Sequence, residues 1–163
     1  MKRKGVARWV CEVGIIAAMY TVLTLILAPI SFEQIQCRVA EALTILPFFT
    51  TAAVPGLFIG CLIANAVAGG MGILDIVAGS LATLAAAAIA SRIKIKWLVP
   101  LPSVVINAFV VGYILNVLTG APYWATVGLV GIGQALACYG LGMPLLYILL
   151  KYKNRLFSRP SGS

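Results

Sequence analysis

Residues 32–49 read FEQIQCRVAEALTILPFF, and the reading of this stretch decides the fold. It holds two of the chain's four carboxylates, Glu33 and Glu41, together with Arg38, the one basic residue outside a terminal or loop group. From Arg38 to Thr50 the segment is apolar after a charged first turn, and it carries Pro47 near its end. Lipid offers no hydrogen bonds to backbone groups, so such a segment belongs in a bilayer only as a short or partly re-entrant helix covered by neighbours. Whether it crosses sets the topology of everything around it.

Outward from that stretch the chain is mostly apolar, with 62% hydrophobic residues against 10% charged in 163. That composition describes a polytopic membrane protein and excludes an ordinary soluble domain. A crossing takes about 20 apolar residues for a hydrocarbon core of roughly 30 Å. Five further runs lie at about 9–29, 54–70, 73–91, 98–118 and 124–150. Lys2, Arg3, Lys4 and Arg8 precede the first run; Arg92, Lys94 and Lys96 follow the 73–91 run; Lys151, Lys153, Arg155 and Arg159 follow the last. Basic residues flank spans on the cytoplasmic side, so even numbers of crossings must separate these groups. Counting 38–50 as a crossing satisfies that condition.

The expected fold is therefore an all-α bundle of six transmembrane helices, the second short, forming one integral membrane domain over 1–163. Both termini are expected in the cytoplasm. The formal net charge of +8 is a topology signal and not a nucleic-acid footprint. MKRKGVARW before an apolar run has the form of a signal peptide. Its apolar run is long enough to span, and its removal would put the remaining basic groups outside, so a retained anchor is expected.

Catalytic chemistry finds little to use. The chain has no histidine, and Cys11, Cys37, Cys61 and Cys138 are scattered without CxxC spacing. No catalytic residue, metal site or cofactor is expected. An intramembrane enzyme acting on lipid-like substrates would need a nucleophile and base that are missing here. No GxxxxGK[ST] loop is present to hold nucleotide phosphates, and the chain lacks the duplicated halves of a self-contained transporter. A purely structural scaffold would not need Arg38, Glu41, Asn107 and Gln134 at embedded positions, whereas a small binding subunit would.

With this topology the embedded polar residues gather toward the outside: Glu33, Gln34, Gln36, Arg38 and Glu41 around the first outer loop, then Asn65, Asp75, Tyr113 and Asn116. Asn107 and Gln134 sit deeper. An outward pocket lined this way suits a small polar ligand with several hydrogen-bond donors. Amides can read a purine-like edge, Phe32, Tyr113, Tyr123 and Trp124 can stack on its faces, and Glu41 or Asp75 can neutralise a cationic substituent. Plainer readings stand beside these. Arg38 and Glu41, three apart, can form an ion pair; Tyr123 and Trp124 fit an interfacial belt; Asp75 fits a helix N-terminus. Ala78, Ala82, Ala86 and Ala90 make a close-packing ridge, as do Gly14 with Ala18, Ala17 with Thr21 and Gly133 with Ala137.

The stretch FEQIQCRVAEALTILPFFTTAAVPGLFIGCLIAN, then GILDIVAGSLATL, the PYW segment and GIGQALACYGLGMPLL, resembles the QueT-type queuosine-precursor transporter family over most of the chain. Its strongest element is the QxRxAEAL core, here Gln36, Arg38, Ala40, Glu41, Ala42 and Leu43. The resemblance implies a substrate-binding S component of an energy-coupling factor (ECF) transporter. It would take up queuine, queuosine, an aminomethyl-deazaguanine or a related nucleobase, with another vitamin as the alternative. It also implies partners: a transmembrane coupling protein and two ATP-hydrolysing subunits, with the S component toppling in the membrane to deliver its ligand. Gly14, Ala17, Ala18 and Thr21 would meet the coupling protein. Where relatives are expected to carry an acid after glycine in the last span, this chain has Gly133 and Gln134. That departure predicts weaker attraction for a cationic aminomethyl group and points toward queuine or the nucleoside.

Overall fold

The structure is a computed structural model that describes residues 2–27, 38–68 and 72–156. Its centre is α2 (Val39–Phe48), a 3-10 helix in which every residue from Ala40 to Pro47 is buried. Ten residues in this geometry extend about 20 Å, against about 15 Å for an α-helix. The tighter winding thus lets a short segment reach farther through the bundle. It also eclipses side chains three apart, so Glu41 and Thr44 share one row led in by Arg38. Around α2 pack α1 (Lys2–Ile26), α3 (Ala53–Ala68), α4 (Gly72–Ala90) and α6 (residues 123–156), while α5 (Leu101–Thr119) pairs with α4 and α6. No strand occurs among the described residues.

The helix ends match the sequence reading to within a few residues, except that α1 extends back into the basic N-terminal group and α6 forward into the C-terminal one. Among the described residues, four segments are long and apolar enough to cross a membrane: Gly5–Ile26, Gly72–Ala90, Lys96–Thr119 and Tyr123–Tyr152. The helices α2 and α3 are shorter apolar elements. Large apolar side chains point outward on the long helices, among them Ile15, Met19, Val22 and Ile26 on α1 and Val105, Phe109 and Val117 on α5. The buried set includes Arg38, Glu41, Asn65, Asp75, Asn107 and Gln134. Apolar outside and polar within is the pattern of a bundle solvated by lipid.

Close packing comes from small residues, as it must where lipid removes most of the hydrophobic drive for helices to associate. A Cβ on Gly60 would stand 2.8 Å from the Ala17 carbonyl oxygen and from Tyr20 Cβ, and one on Gly56 would stand 2.9 Å from Ile16 Cβ. The GLFIG spacing on α3 therefore receives α1 at backbone contact. On α4, Ala82, Ala86 and Ala90 are buried, so the alanine ridge serves packing within the bundle. At the α5–α6 corner Gly120 takes φ +70 and closes α5 with its N–H on the Asn116 carbonyl (2.9 Å).

Candidate functional site

Besides the 3-10 helix α2, two described helices depart from α geometry where their polar residues converge. Asp75–Gly79 in α4 and Leu136–Leu141 in α6 are π-helical. Such widened turns are uncommon and occur often at functional sites. The first carries Asp75; the second carries Cys138 and follows directly on Gln134.

Arg38 reaches across the bundle, its Nη2 3.6 Å from Asp75 Oδ2 and its Nη1 3.6 Å from Cys61 Sγ. The sequence allowed an ion pair with Glu41 one turn away; the pair found here is with α4, because α2 runs through the middle of the bundle and aims Arg38 at a neighbour. Glu41 instead accepts a hydrogen bond from the Tyr20 hydroxyl at Oε1 (2.5 Å), and the Asn107 amide faces its carboxylate. The Asn65 amide donates to the Asp75 backbone carbonyl (3.0 Å) and lies 3.6 Å from Cys61 Sγ. Thr83 Oγ1 is 3.4 Å from the same sulfur. Beneath Glu41, Thr44 donates to its carbonyl (2.6 Å), and the Cys138 thiol is within reach of that carbonyl (3.6 Å) and of Gln134 Oε1 (3.8 Å).

All six helices thus contribute to one buried polar cluster. Its members Arg38, Glu41, Asn65, Asp75, Asn107 and Gln134 are each at most 4% exposed. Three oxygens in it, Glu41 Oε2, Asn65 Oδ1 and Asp75 Oδ1, are buried without a hydrogen-bond partner among the described residues. An unsatisfied buried polar atom costs about 1–3 kcal/mol, and several together call for a reason. All three are acceptors when the carboxylates are ionised.

Other sequence candidates lie apart from it. Tyr113 and Trp124 are 59% and 75% exposed and form an aromatic group with Tyr123 on the outside of the α5–α6 pair. Asn116 donates to the Ala121 carbonyl (2.6 Å) and closes the corner after α5. Phe32 and Gln36, with Glu33 and Gln34, fall outside the described residues. On α1 the four small residues divide: Ala17 packs on Gly60, and Thr21 donates to the Ala17 and Gly60 carbonyls (2.9 and 3.1 Å), whereas Gly14 and Ala18 face outward.

Five cluster members escaped sequence reading: Tyr20, Thr44, Cys61, Thr83 and Cys138. Cys61 and Cys138 stand one helical turn from Asn65 and Gln134, and that spacing was the available signal. Thr44 becomes visible only once α2 is known to have a period of three. Nothing in its surroundings distinguishes Tyr20.

The model of the QueT transporter family matches residues 10–151. The queuosine precursor transporter QueT of Lactococcus lactis subsp. cremoris (strain MG1363) is 35% identical over 77 residues, which cover 46% of this chain and 44% of that protein. The matched stretch therefore spans less than half the length of that curated relative. No solved structure matches.

Proposed function

The chain belongs to the QueT transporter family, and on that premise we propose that it is the S component of an ECF-type ABC importer, capturing a queuosine precursor or related deazaguanine from outside the cell. The observation that carries the reading is the buried acceptor group of Glu41, Asn65 and Asp75, each with an oxygen left open. A deazaguanine presents adjacent N–H donors on its lactam and amine edge, which match a carboxylate such as Glu41. The Asn107 and Gln134 amides supply paired donors and acceptors for the remaining ring positions. In this reading α2 and α3 also cross, giving six spans in the bacterial cell membrane with both termini in the cytoplasm, as the three basic groups favour.

The test is a thermal-shift screen of the purified protein against queuine, queuosine, the aminomethyl and cyano deazaguanines, guanine and a vitamin panel. Ligand at 100 times its Kd adds about 2.7 kcal/mol of apparent stability to a protein that binds it only when folded. Selective stabilisation by a deazaguanine is expected. Stabilisation by an unrelated vitamin would overturn the substrate, and silence across the panel would count against a binding subunit.

ATP hydrolysis would come from two partner subunits through a transmembrane coupling protein, and α1 offers the docking face. A Cβ on Gly14 would meet nothing within 4 Å, so a partner helix can come close there. Beside it an apolar groove of about 320 Å³ runs between α1, α2 and α6, lined by Ile15, Met19, Leu43, Leu46, Leu145 and Leu149. Ala18→Trp is expected to abolish uptake by the assembled importer while leaving ligand binding to the isolated subunit intact. Loss of both would mean that Ala18 serves internal packing.

A further inference from the structure

We infer that the chain holds one anionic phospholipid from the leaflet that faces its basic N terminus, with the phosphate at Arg8 and one acyl chain laid between α1, α2 and α6. Two cavities share Glu12 as a wall. A polar one of about 300 Å³ opens between the start of α1 and the turn after α2, lined by Arg8, Trp9, Glu12, Thr50 and Thr51. The apolar groove of about 320 Å³ starts from the same Glu12 and passes Ile15 and Met19 of α1, Leu43 and Leu46 of α2, and Leu145 and Leu149 of α6. Polar at one end and apolar along the rest, the pair has the form of a phospholipid. Its reach agrees with one leaflet. Tryptophan favours the headgroup level, and from Trp9 to Met19 α1 rises about 15 Å, half of a hydrocarbon core of roughly 30 Å. Residues 12, 15, 16 and 19 have the spacing of a single helix face. Gly14 and Ala18 lie off that face, so the groove flanks the docking surface proposed above without covering it.

Charge selects the headgroup. Glu12 Oε1 is 3.1 Å from Arg8 Nε, and its Oε2 accepts a hydrogen bond from the Thr50 hydroxyl (2.9 Å), so the carboxylate in the polar cavity is already balanced. The Trp9 indole N–H donates to Thr51 Oγ1 (3.4 Å) and ties the start of α1 to the turn after α2. Along the helix, Lys2, Arg3, Lys4 and Arg8 stand against the Glu12 carboxylate alone. A guanidinium matches a phosphate in shape and charge, and basic residues beside a bilayer attract anionic lipid. A helix of the coupling protein would account for the groove and not for the polar cavity at its end. The lipid accounts for both.

The test is native mass spectrometry of the purified full chain in detergent, titrated with phosphatidylglycerol, with diacylglycerol of the same chains and with glycerol phosphate. One phosphatidylglycerol per chain is expected, held about 5-fold more tightly than diacylglycerol, the factor for one basic residue at an anionic headgroup. Glycerol phosphate, which has no chain for the groove, should neither bind nor compete. Arg8→Gln should bring phosphatidylglycerol down to the diacylglycerol level and leave diacylglycerol unchanged. Met19→Trp, which fills the groove from its exposed rim, should weaken both lipids. Equal binding of the two lipids by the wild-type chain, or no effect of Arg8→Gln, would overturn the headgroup site. Competition by glycerol phosphate would reduce it to a site for free phosphate, and lipid adducts indifferent to Met19→Trp would be annular only. Absence of any adduct would overturn the proposal outright; if Met19→Trp then blocked assembly with the coupling protein, the groove would belong to a partner helix.

Discussion

Glu41→Gln is expected to lower affinity for the preferred deazaguanine by about 10- to 150-fold, the equivalent of about 1.5–3 kcal/mol for a hydrogen bond to a charged group, while the purified protein stays folded. The substitution keeps the size of a side chain that is 1% exposed, so no cavity opens in the centre of the bundle. An amide has one acceptor and one donor end. If its oxygen keeps the Tyr20 hydroxyl, its NH₂ points where Oε2 stood and opposes the N–H donors of the ligand. If it turns over, its NH₂ faces Tyr20, whose hydroxyl can accept, and the site recovers one acceptor without the charge. Either way the ring edge loses part of its recognition. Removal of the charge leaves Arg38 and Asp75 balanced, which favours the fold of the empty protein. Isothermal binding and a thermal melt on the same sample separate the two effects. Unchanged affinity would take Glu41 out of the site, and a collapse in the melt would make its charge structural.

The helical order was legible in the sequence because it rests on composition and on basic residues beside apolar runs, both local properties. The short second helix was legible as an element for a less direct reason: the basic groups share a side only if the 38–50 segment is counted as a crossing. Its 3-10 winding was not legible, since every one of its residues is at home in an α-helix. That winding aligns Glu41 with Thr44 and turns Arg38 toward Asp75. Within the buried polar cluster, Arg38, Glu41, Asn65, Asp75, Asn107 and Gln134 stood out because polar side chains between apolar runs are rare and costly. The same criterion also selected Tyr113 and Trp124, which are exposed, because depth along a helix says nothing of which face a residue occupies. Tyr20, Cys61 and Cys138 pass as ordinary apolar neighbours in sequence, and their polar atoms matter only once six helices bring them to one place. Ala17 and Thr21 show the same limit. They share a spacing with Gly14 and Ala18, but α3, through Gly56 and Gly60, has already taken their face.

Arg38→Met should be the most damaging single change to the fold, costing about 3–5 kcal/mol, the range found when one partner of a buried ion pair is removed. Methionine replaces the aliphatic stem well enough, so lost packing is a minor part. The larger part is charge. Arg38 is the one buried cation among the described residues, and without it the Glu41 and Asp75 carboxylates keep no buried positive charge among those residues to offset them. Asp75→Asn in the same chain should recover most of the loss, because it removes the carboxylate stranded by the first change and keeps the size of the side chain. Thermal midpoints for the two single variants and the double variant in detergent give the coupling directly. A strongly negative cross-term, with the double variant more stable than Arg38→Met alone, is the expected result. Additive losses would mean that the 3.6 Å approach of Arg38 to Asp75 contributes little.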